Sequence, residues 1–330
     1  MSMPDRELTF AQAVREALAE EMRRDARVSI FGEDVAEAGT PFKVLSGLVE
    51  EFGSERIIDT PISEAGFTGI GVGAAMAGLR PVVDIMFGDF LTLTMDQMVN
   101  QAAKAHYMSG GHWSVPMVMR TTLGATRRSA AQHSQSLHAW FSHVPGLKVV
   151  LPSTPYDAKG LLKTAVRDEN PVMFFEDKMM YKLKGPVPEE DYTIPLGVAD
   201  VKREGEDITL VATSSMVQVA LGAATLLEKA GISAEVVDPR TTWPLDEKTI
   251  IESAKKTSRV IVLDEGYSRY GVTAEIAAVI AEGAFYDLDA PVKRMGALHV
   301  PIPFSPPLED VTVPTEESVF SAAREMCSKS

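Results

Sequence analysis

The sequence predicts an α/β protein of two domains, each a mostly parallel sheet covered by helices. Three observations carry this. Strand-like and helix-like segments alternate along nearly the whole chain, the mark of βαβ units. The 330 residues suffice for two separate cores. A break rich in proline and acids, Gly185-Pro186-Val187-Pro188-Glu189-Glu190-Asp191, interrupts the alternation. The domains are therefore drawn at 1–184 and 197–330, with 185–196 as the linker.

In chain order, Thr9-Phe10-Ala11-Gln12 is a capping box, and an amphipathic helix follows to Arg24. Arg27–Phe31 reads as a strand, Phe42–Phe52 as a helix and Arg56–Asp59 as a short strand. Pro61 holds its neighbours extended, and Ser63 is a suitable N-cap for a helix beginning at Glu64. That helix is unusual. No charged side chain occurs between Glu64 and Arg80, and nine of the fifteen residues from Ala65 to Leu79 are Gly or Ala. Each interior glycine costs a helix roughly 1 kcal/mol relative to alanine. Such a run predicts close packing and burial on all sides. Strands at Pro81–Met86, Val115–Thr121, Lys148–Leu151 and Val172–Glu176 follow, with helices at Asp89–Tyr107 and Tyr156–Arg167.

Beyond the break, strands fall at Ile208–Ala212, Ala234–Asp238, Val260–Asp264 and Val292–Met295. Helices fall at Met216–Lys229, Glu247–Lys256, Thr273–Glu282 and Glu316–Met326. Pro301, Pro303, Pro306 and Pro307 mark a stiff surface loop before the last helix.

The net charge of −14 argues against nucleic acid and anionic membranes as partners. The single cysteine, Cys327, cannot form an internal disulfide and fits a reducing cytoplasm. The first residues, Met1 to Glu7, lack the apolar core of a signal peptide. The most apolar window, Gly69–Phe87, is broken by Arg80, Pro81 and Asp84, so no membrane span is expected.

Glu64 is the first functional candidate. A carboxylate at the mouth of a buried helix is rarely placed without a partner. The helix dipole alone also favours an acid there, and dipole and burial push its pKa in opposite directions. His133 lies in the polar stretch Arg127-Arg128-Ser129-Ala130-Ala131-Gln132-His133-Ser134-Gln135-Ser136, after a strand end where parallel sheets carry ligands. It can transfer protons near neutral pH, or bond locally as any loop histidine does. Arg127 and Arg128 can attract an anion or simply be solvated. Phe90 can stack on a flat heterocycle or fill the core. Asp168-Glu169-Asn170-Pro171 can hold a hard cation or form an ordinary Asn-Pro turn. The spacing of His133, His138 and His143 does not put them on one helix face, so no metal cluster is expected. Gly69-x-Gly71-x-x-Ala74 matches a dinucleotide fingerprint only nominally, because its glycines fall inside the helix.

Several stretches stand in order and well spaced: Thr60-Pro61-Ile62-Ser63-Glu64-Ala65-Gly66-Phe67, Gly73-Ala74-Ala75-Met76-Ala77-Gly78-Leu79-Arg80-Pro81, Ala131-Gln132-His133-Ser134-Gln135-Ser136, and Pro145-Gly146-Leu147-Lys148-Val149-Val150. With Asp238-Pro239-Arg240-Thr241, they resemble the β subunit of the thiamine-diphosphate-dependent 2-oxoacid dehydrogenases, the decarboxylating component of pyruvate-dehydrogenase-type complexes. Phe175-Glu176-Asp177-Lys178 and Tyr192-Thr193-Ile194-Pro195-Leu196-Gly197 look most like acetoin dehydrogenase β subunits. The resemblance implies transketolase-like pyrimidine-binding and C-terminal domains.

It also implies roles. Glu64 matches the acid that hydrogen-bonds the aminopyrimidine of thiamine diphosphate, and Phe90 matches the aromatic beside that ring. Glu33 resembles a second acid of the site, and Ile62 a further cofactor contact. His133 matches a histidine thought to assist acyl transfer to the lipoyl arm. Met117, Ala165, Val166, Asp168 and Asn170 align with a potassium site in relatives. The Gly-Asp-Gly motif and paired asparagines that hold Mg²⁺ and the diphosphate in relatives are absent here. The resemblance assigns them to an α subunit, in an α2β2 heterotetramer that works with a dihydrolipoyl acyltransferase core and its lipoyl domain. The implied reaction is cleavage of acetoin, or decarboxylation of pyruvate or a branched-chain 2-oxoacid, with acyl transfer to lipoamide. A non-catalytic assembly subunit that has kept the fold is the rival from another class.

Overall fold

The computed structural model describes residues 6–328. The reading of the N-terminus as lacking a signal peptide falls largely on residues 1–5, outside the described residues. The chain forms two units. One comprises the residues up to Leu123 together with Trp140–Leu196; the other comprises Gly124–Ala139 together with the chain from Gly197 onward.

The first unit begins with β1 (Glu7–Thr9) and α1 (Phe10–Arg24). The expected capping box is present: Gln12 N–H donates to Thr9 Oγ1 at 3.2 Å, and Thr9 N–H donates to Gln12 Oε1 at 2.8 Å. There follow β2 (Val28–Gly32), α2 (Leu48–Phe52), β3 (Ile57–Asp59), α3 (Glu64–Met76) and β4 (Arg80–Ile85). Then come α4 (Ala103–Met108), β5 (Val118–Leu123), α5 (His138–Ser142), β6 (Lys148–Val150), α6 (Pro155–Arg167), β7 (Val172–Asp177) and β8 (Lys184–Pro186). Strands of this unit stand in the order β6-β7-β5-β4-β2-β3, all parallel. Successive residues of each strand face opposite sides of the sheet. Val82, Val118 and Phe174 join a core with Phe10, Leu18 and Leu161; Val83, Met119 and Phe175 join another with Phe67, Val72 and Met98. From β2 the chain goes to β3 on one side and later to β4 on the other. Ligands of open parallel sheets bind where such a reversal parts the carboxyl ends of the strands.

The structure corrects three expectations here. The helix read at Phe42–Phe52 is only α2, because Lys43 and Gly47 adopt positive φ, which a right-handed helix does not accept. The helix read at Asp89–Tyr107 is a 3₁₀ segment (Gly88–Thr94), a π segment (Asp96–Ala102) and α4. Thr92 and Thr94 hydroxyls donate to the carbonyls of Asp89 and Leu91, offering the backbone an alternative to regular α geometry. The stretch 185–196, read as the interdomain linker, packs on the first unit: β8 pairs antiparallel with β1, Arg6 donates to the carbonyls of Val187 and Pro188, and Ile194 is buried on α6. Finally, α3 is not buried on all sides. Gly71 lies so close to β4 that a Cβ there would sit 2.5 Å from Val83, yet Ala65, Gly69, Ile70, Gly73 and Met76 are exposed. The uncharged sequence describes a helix whose second face has no cover among the described residues.

The second unit holds β9 (Asp200–Arg203), β10 (Ile208–Ala212), α7 (Met216–Lys229), β11 (Ala234–Asp238), β12 (Thr241–Trp243), α8 (Glu247–Thr257) and β13 (Val260–Tyr267). After these come α9 (Val272–Ala284), β14 (Lys293–Ala297), α10 (Pro306–Glu309) and α11 (Glu316–Ser328). Its sheet runs β14-β13-β10-β11-β9, parallel except for β9. The stretch read as a stiff proline loop contains α10, opened by prolines at its first positions, where a missing N–H costs nothing.

Candidate active site

The acidic residues gather at the carboxyl ends of β2 and β3. Gly32 ends β2 against β4, where a Cβ would lie 2.6 Å from the Asp84 carbonyl oxygen, so only glycine lets the strands approach this far. The backbone then turns into Glu33. Two bonds fix the turn: Ala36 N–H to Asp59 Oδ1 at 2.8 Å, and Thr60 N–H to the Gly32 carbonyl at 2.9 Å. Thr60 leads through exposed Pro61 and Ile62 to Ser63 and Glu64, the first residue of α3. Ser63 stands at the N-cap, but its side chain makes no capping bond. Its N–H instead donates to the Glu33 carboxylate.

Glu64 is 7% exposed, and among the described residues no donor reaches its carboxylate. Glu33 Oε1 and Thr60 Oγ1 are sealed from solvent, also without a partner. Burial pushes the Glu33 carboxyl above its ordinary pKa, and the neighbouring Glu64 carboxylate pushes it further; the Ser63 N–H offsets part of this. Two acids with no cation thus share a small, half-sealed polar corner. Buried polar atoms are normally satisfied, so orphans of this kind fit a ligand that brings its own donors. Phe90, in the 3₁₀ segment after β4, is half-buried; its ring meets Phe87 edge-on at 6.0 Å, and Phe87 meets Phe42 at 5.8 Å.

His133 belongs to the other unit. It is half-buried in the segment 124–139. Thr126, Arg128 and Ala130 in this segment adopt positive φ, a costly geometry that folds retain mainly at functional sites. Arg128 remains partly exposed, but its guanidinium is engaged by two acids and is not free for an anion. Its backbone N–H and guanidinium both donate to Glu309 Oε2, at 3.1 and 2.7 Å, and the guanidinium also meets Asp310. Arg127 is exposed. His138 is buried on Asp264 at 3.1 Å, and His143 is exposed in the first unit. Among the described residues no group of His, Cys, Asp and Glu is arranged to hold a metal ion.

The residues aligned with a potassium site lie at the opposite, amino edge of the first unit's sheet. Their carbonyls have protein donors: Arg80 Nη1 takes those of Val166 and Asp168, both at 3.1 Å, Asp168 N–H takes Ala165, and Val172 N–H takes Met117. Asn170 N–H and Nδ2 both reach Asp168 Oδ1. The guanidinium already supplies the positive charge here.

One buried cluster escapes the sequence reading. Arg120 on β5 pairs with Asp84 on β4 and Glu176 on β7, and all three are fully buried. Its signal is visible in hindsight. Asp84 and Arg120 occupy matched positions in adjacent apolar strands, and Glu176 sits two residues along the next strand, on the same face.

Fold and site together define a transketolase-type protein. Residues 6–184 match the family described as the transketolase pyrimidine-binding domain, and residues 197–319 match the transketolase C-terminal domain. A solved structure titled as a split-gene transketolase, an inactive β4 tetramer, superimposes with a TM-score of 0.81 over 97% of this chain and 98% of its own at 22% identity, which speaks to the fold alone. Sequence goes further. The chain is 50% identical, over 97% of each chain, to the acetoin:2,6-dichlorophenolindophenol oxidoreductase β subunit of Bacillus subtilis. It is 48% identical to the 2-oxoisovalerate dehydrogenase β subunit of Bacillus subtilis and 48% identical to the pyruvate dehydrogenase E1 β subunit of Rickettsia felis, covering 97% of this chain and 98% of theirs. The chain belongs to the β subunits of the thiamine-diphosphate-dependent 2-oxoacid dehydrogenase family, oxidoreductases built with an α subunit.

Proposed function

We propose that this chain forms half of the active site of an acetoin-cleaving dehydrogenase, assembled with its α subunit as an α2β2 heterotetramer. The observation that carries the reading is the corner of Glu33, Thr60 and Glu64 at the point where the strand order reverses, with Glu33 Oε1 and Thr60 Oγ1 sealed and unpartnered beside buried Glu64. An aminopyrimidine fits it, since its amino group and protonatable ring nitrogen bring the donors the corner lacks. Thiamine diphosphate, when bound, supplies the electron sink for carbon–carbon cleavage.

The chain's own residues orient that group and move protons. Glu64 accepts a hydrogen bond from the pyrimidine edge and exchanges a proton at its carboxylate. Burial and the neighbouring Glu64 carboxylate raise the Glu33 carboxyl above its ordinary pKa, which favours its holding a proton beside Glu64. Phe90 would pack beside the ring, and Ile62, exposed just before α3, would make a further cofactor contact. His133 assists transfer of the acyl group to a lipoyl arm carried by a dihydrolipoyl acyltransferase core. Mg²⁺ and the diphosphate belong mainly to the α subunit, because this chain lacks the residues that hold them in relatives. A potassium ion at Met117, Ala165, Val166, Asp168 and Asn170 would share the Val166 and Asp168 carbonyls with Arg80. The exposed apolar face of α3, with Ile70 and Met76, suits burial by the α subunit. A cytoplasmic setting accords with the single cysteine.

The substrate is tested on the reconstituted tetramer with an artificial electron acceptor, by comparing acetoin, pyruvate and 2-oxoisovalerate. Acetoin should turn over fastest and release acetaldehyde. Faster turnover of either 2-oxoacid, with release of CO₂, would replace acetoin as the substrate.

A further inference from the structure

The segment 124–139 leaves the first unit's sheet after β5 and folds into the second unit before the chain returns at Trp140. Three acids of the second unit pin it. Near its start, Ala125 N–H donates to Glu265 Oε1 at 2.6 Å. Two residues on from strained Thr126, Arg128 is bound through backbone and side chain to Glu309, which is fully buried and has its other oxygen unpartnered. Near its end, His138 Nε2 lies 3.1 Å from both oxygens of Asp264, which also accepts from Thr213 and from Gly266 N–H. A Cβ on Gly266 would lie 2.6 Å from Asp264, 3.3 Å from His138 and 3.4 Å from the Ser136 carbonyl, so the segment rests directly on that glycine.

His133 sits between the second and third of these anchors. Positive φ at Thr126, Arg128 and Ala130 means that the backbone does not adopt this path by its own preference. Something must hold it, and the side chain placed to do so is Arg128 on Glu309. We propose that Arg128 and Glu309 are positioning residues for His133, setting its imidazole for acyl transfer while taking no part in cofactor binding. This rests on the reading of His133 as an acyl-transfer residue given above.

The test uses the reconstituted α2β2 enzyme in two assays, one with a lipoyl domain as acyl acceptor and one with 2,6-dichlorophenolindophenol. Arg128→Ala should lower kcat with the lipoyl domain roughly 10- to 100-fold, as misplacement of a reacting group does, with KM for that domain little changed. Turnover with the dye should stay within about twofold. Glu309→Gln, which keeps an acceptor for the Arg128 backbone, should show the same split to a smaller degree, and Arg128→Lys should recover part of the loss. Adding Arg128→Ala to His133→Gln should cost nothing more with the lipoyl domain, because both act through one group. Equal losses in both assays, no loss in either, or additive losses in the double variant would overturn the positioning role. If His133→Gln alone leaves lipoyl transfer intact, the reading of His133 falls and this proposal falls with it. If Arg128→Ala fails to assemble, Arg128→Lys and Glu309→Gln are judged by the same split.

Discussion

In the first unit, buried Asp84 and Glu176 share a cation, whereas half-buried Glu33 and buried Glu64 have none among the described residues. Asp84 and Glu176 flank Arg120 in the middle of the sheet, with Arg120 Nη2 2.7 Å from Glu176 Oε2. Glu33 and Glu64 stand at the end of the sheet with no cation and two sealed oxygens nearby. Burial is the largest influence at Asp84 and Glu176 and raises both carboxyls, while Arg120 pulls them down. At Glu33 burial also leads, but the next influence is a second acid that pushes the same way. The comparison separates structural from functional burial. A pair that closes its own hydrogen bonds serves the fold; a pair left open at a strand-order reversal is kept for something that arrives later.

The sharpest way to break this contrast is to remove the cation. Arg120→Leu strands two carboxylates in the core and should cost the isolated β chain about 3–5 kcal/mol, read as a lower urea midpoint. Adding Asp84→Asn and Glu176→Gln should recover most of that loss. If Arg120→Leu proves mild, the trio does not hold the sheet together.

Glu64→Gln should do the opposite. Turnover of the assembled enzyme should fall about 1,000-fold, the scale of a lost proton-transfer group, with the urea midpoint of the chain unchanged. A stability loss on the Arg120 scale would make Glu64 structural.

The smallest effect is expected at Glu33, as a pH dependence. Its folded-state carboxyl titrates above the ordinary value, so the native state binds that proton more tightly than the unfolded chain. Stability therefore falls as pH rises from the ordinary carboxylate range through the raised pKa. Glu33→Gln should flatten this slope and leave the chain more stable above the window, measured by urea midpoints across the acidic range. A steeper slope in the variant would reverse the sign argued here.

Much of this was legible in residue order, and for physical reasons. The first helix announces itself because Thr9 and Gln12 cap locally, and no distant contact is needed to see them. Glu64 stood out because the uncharged stretch behind it made an acid conspicuous. What failed to show was whatever depends on partners distant in sequence. The helix α3 reads as buried because its exposed face is as uncharged as its packed one. The region 88–108 carries helical periodicity, while the hydroxyl bonds of Thr92 and Thr94 in its 3₁₀ segment are not revealed by that pattern. Arg120 lies 36 residues from Asp84 and 56 from Glu176, so only strand register unites them. The residues of 185–196 looked like punctuation, since proline and acids say nothing about an edge strand awaiting β1.

The excursion of 124–139 also bears on how the polypeptide is made. On the ribosome this stretch emerges long before the acids that will seat it, Asp264, Glu265 and Glu309. It waits while β6 and β7 complete the earlier body. Neither half can therefore be obtained whole by a single cut at Leu196: one fragment keeps an unseated strap, and the other keeps an empty seat.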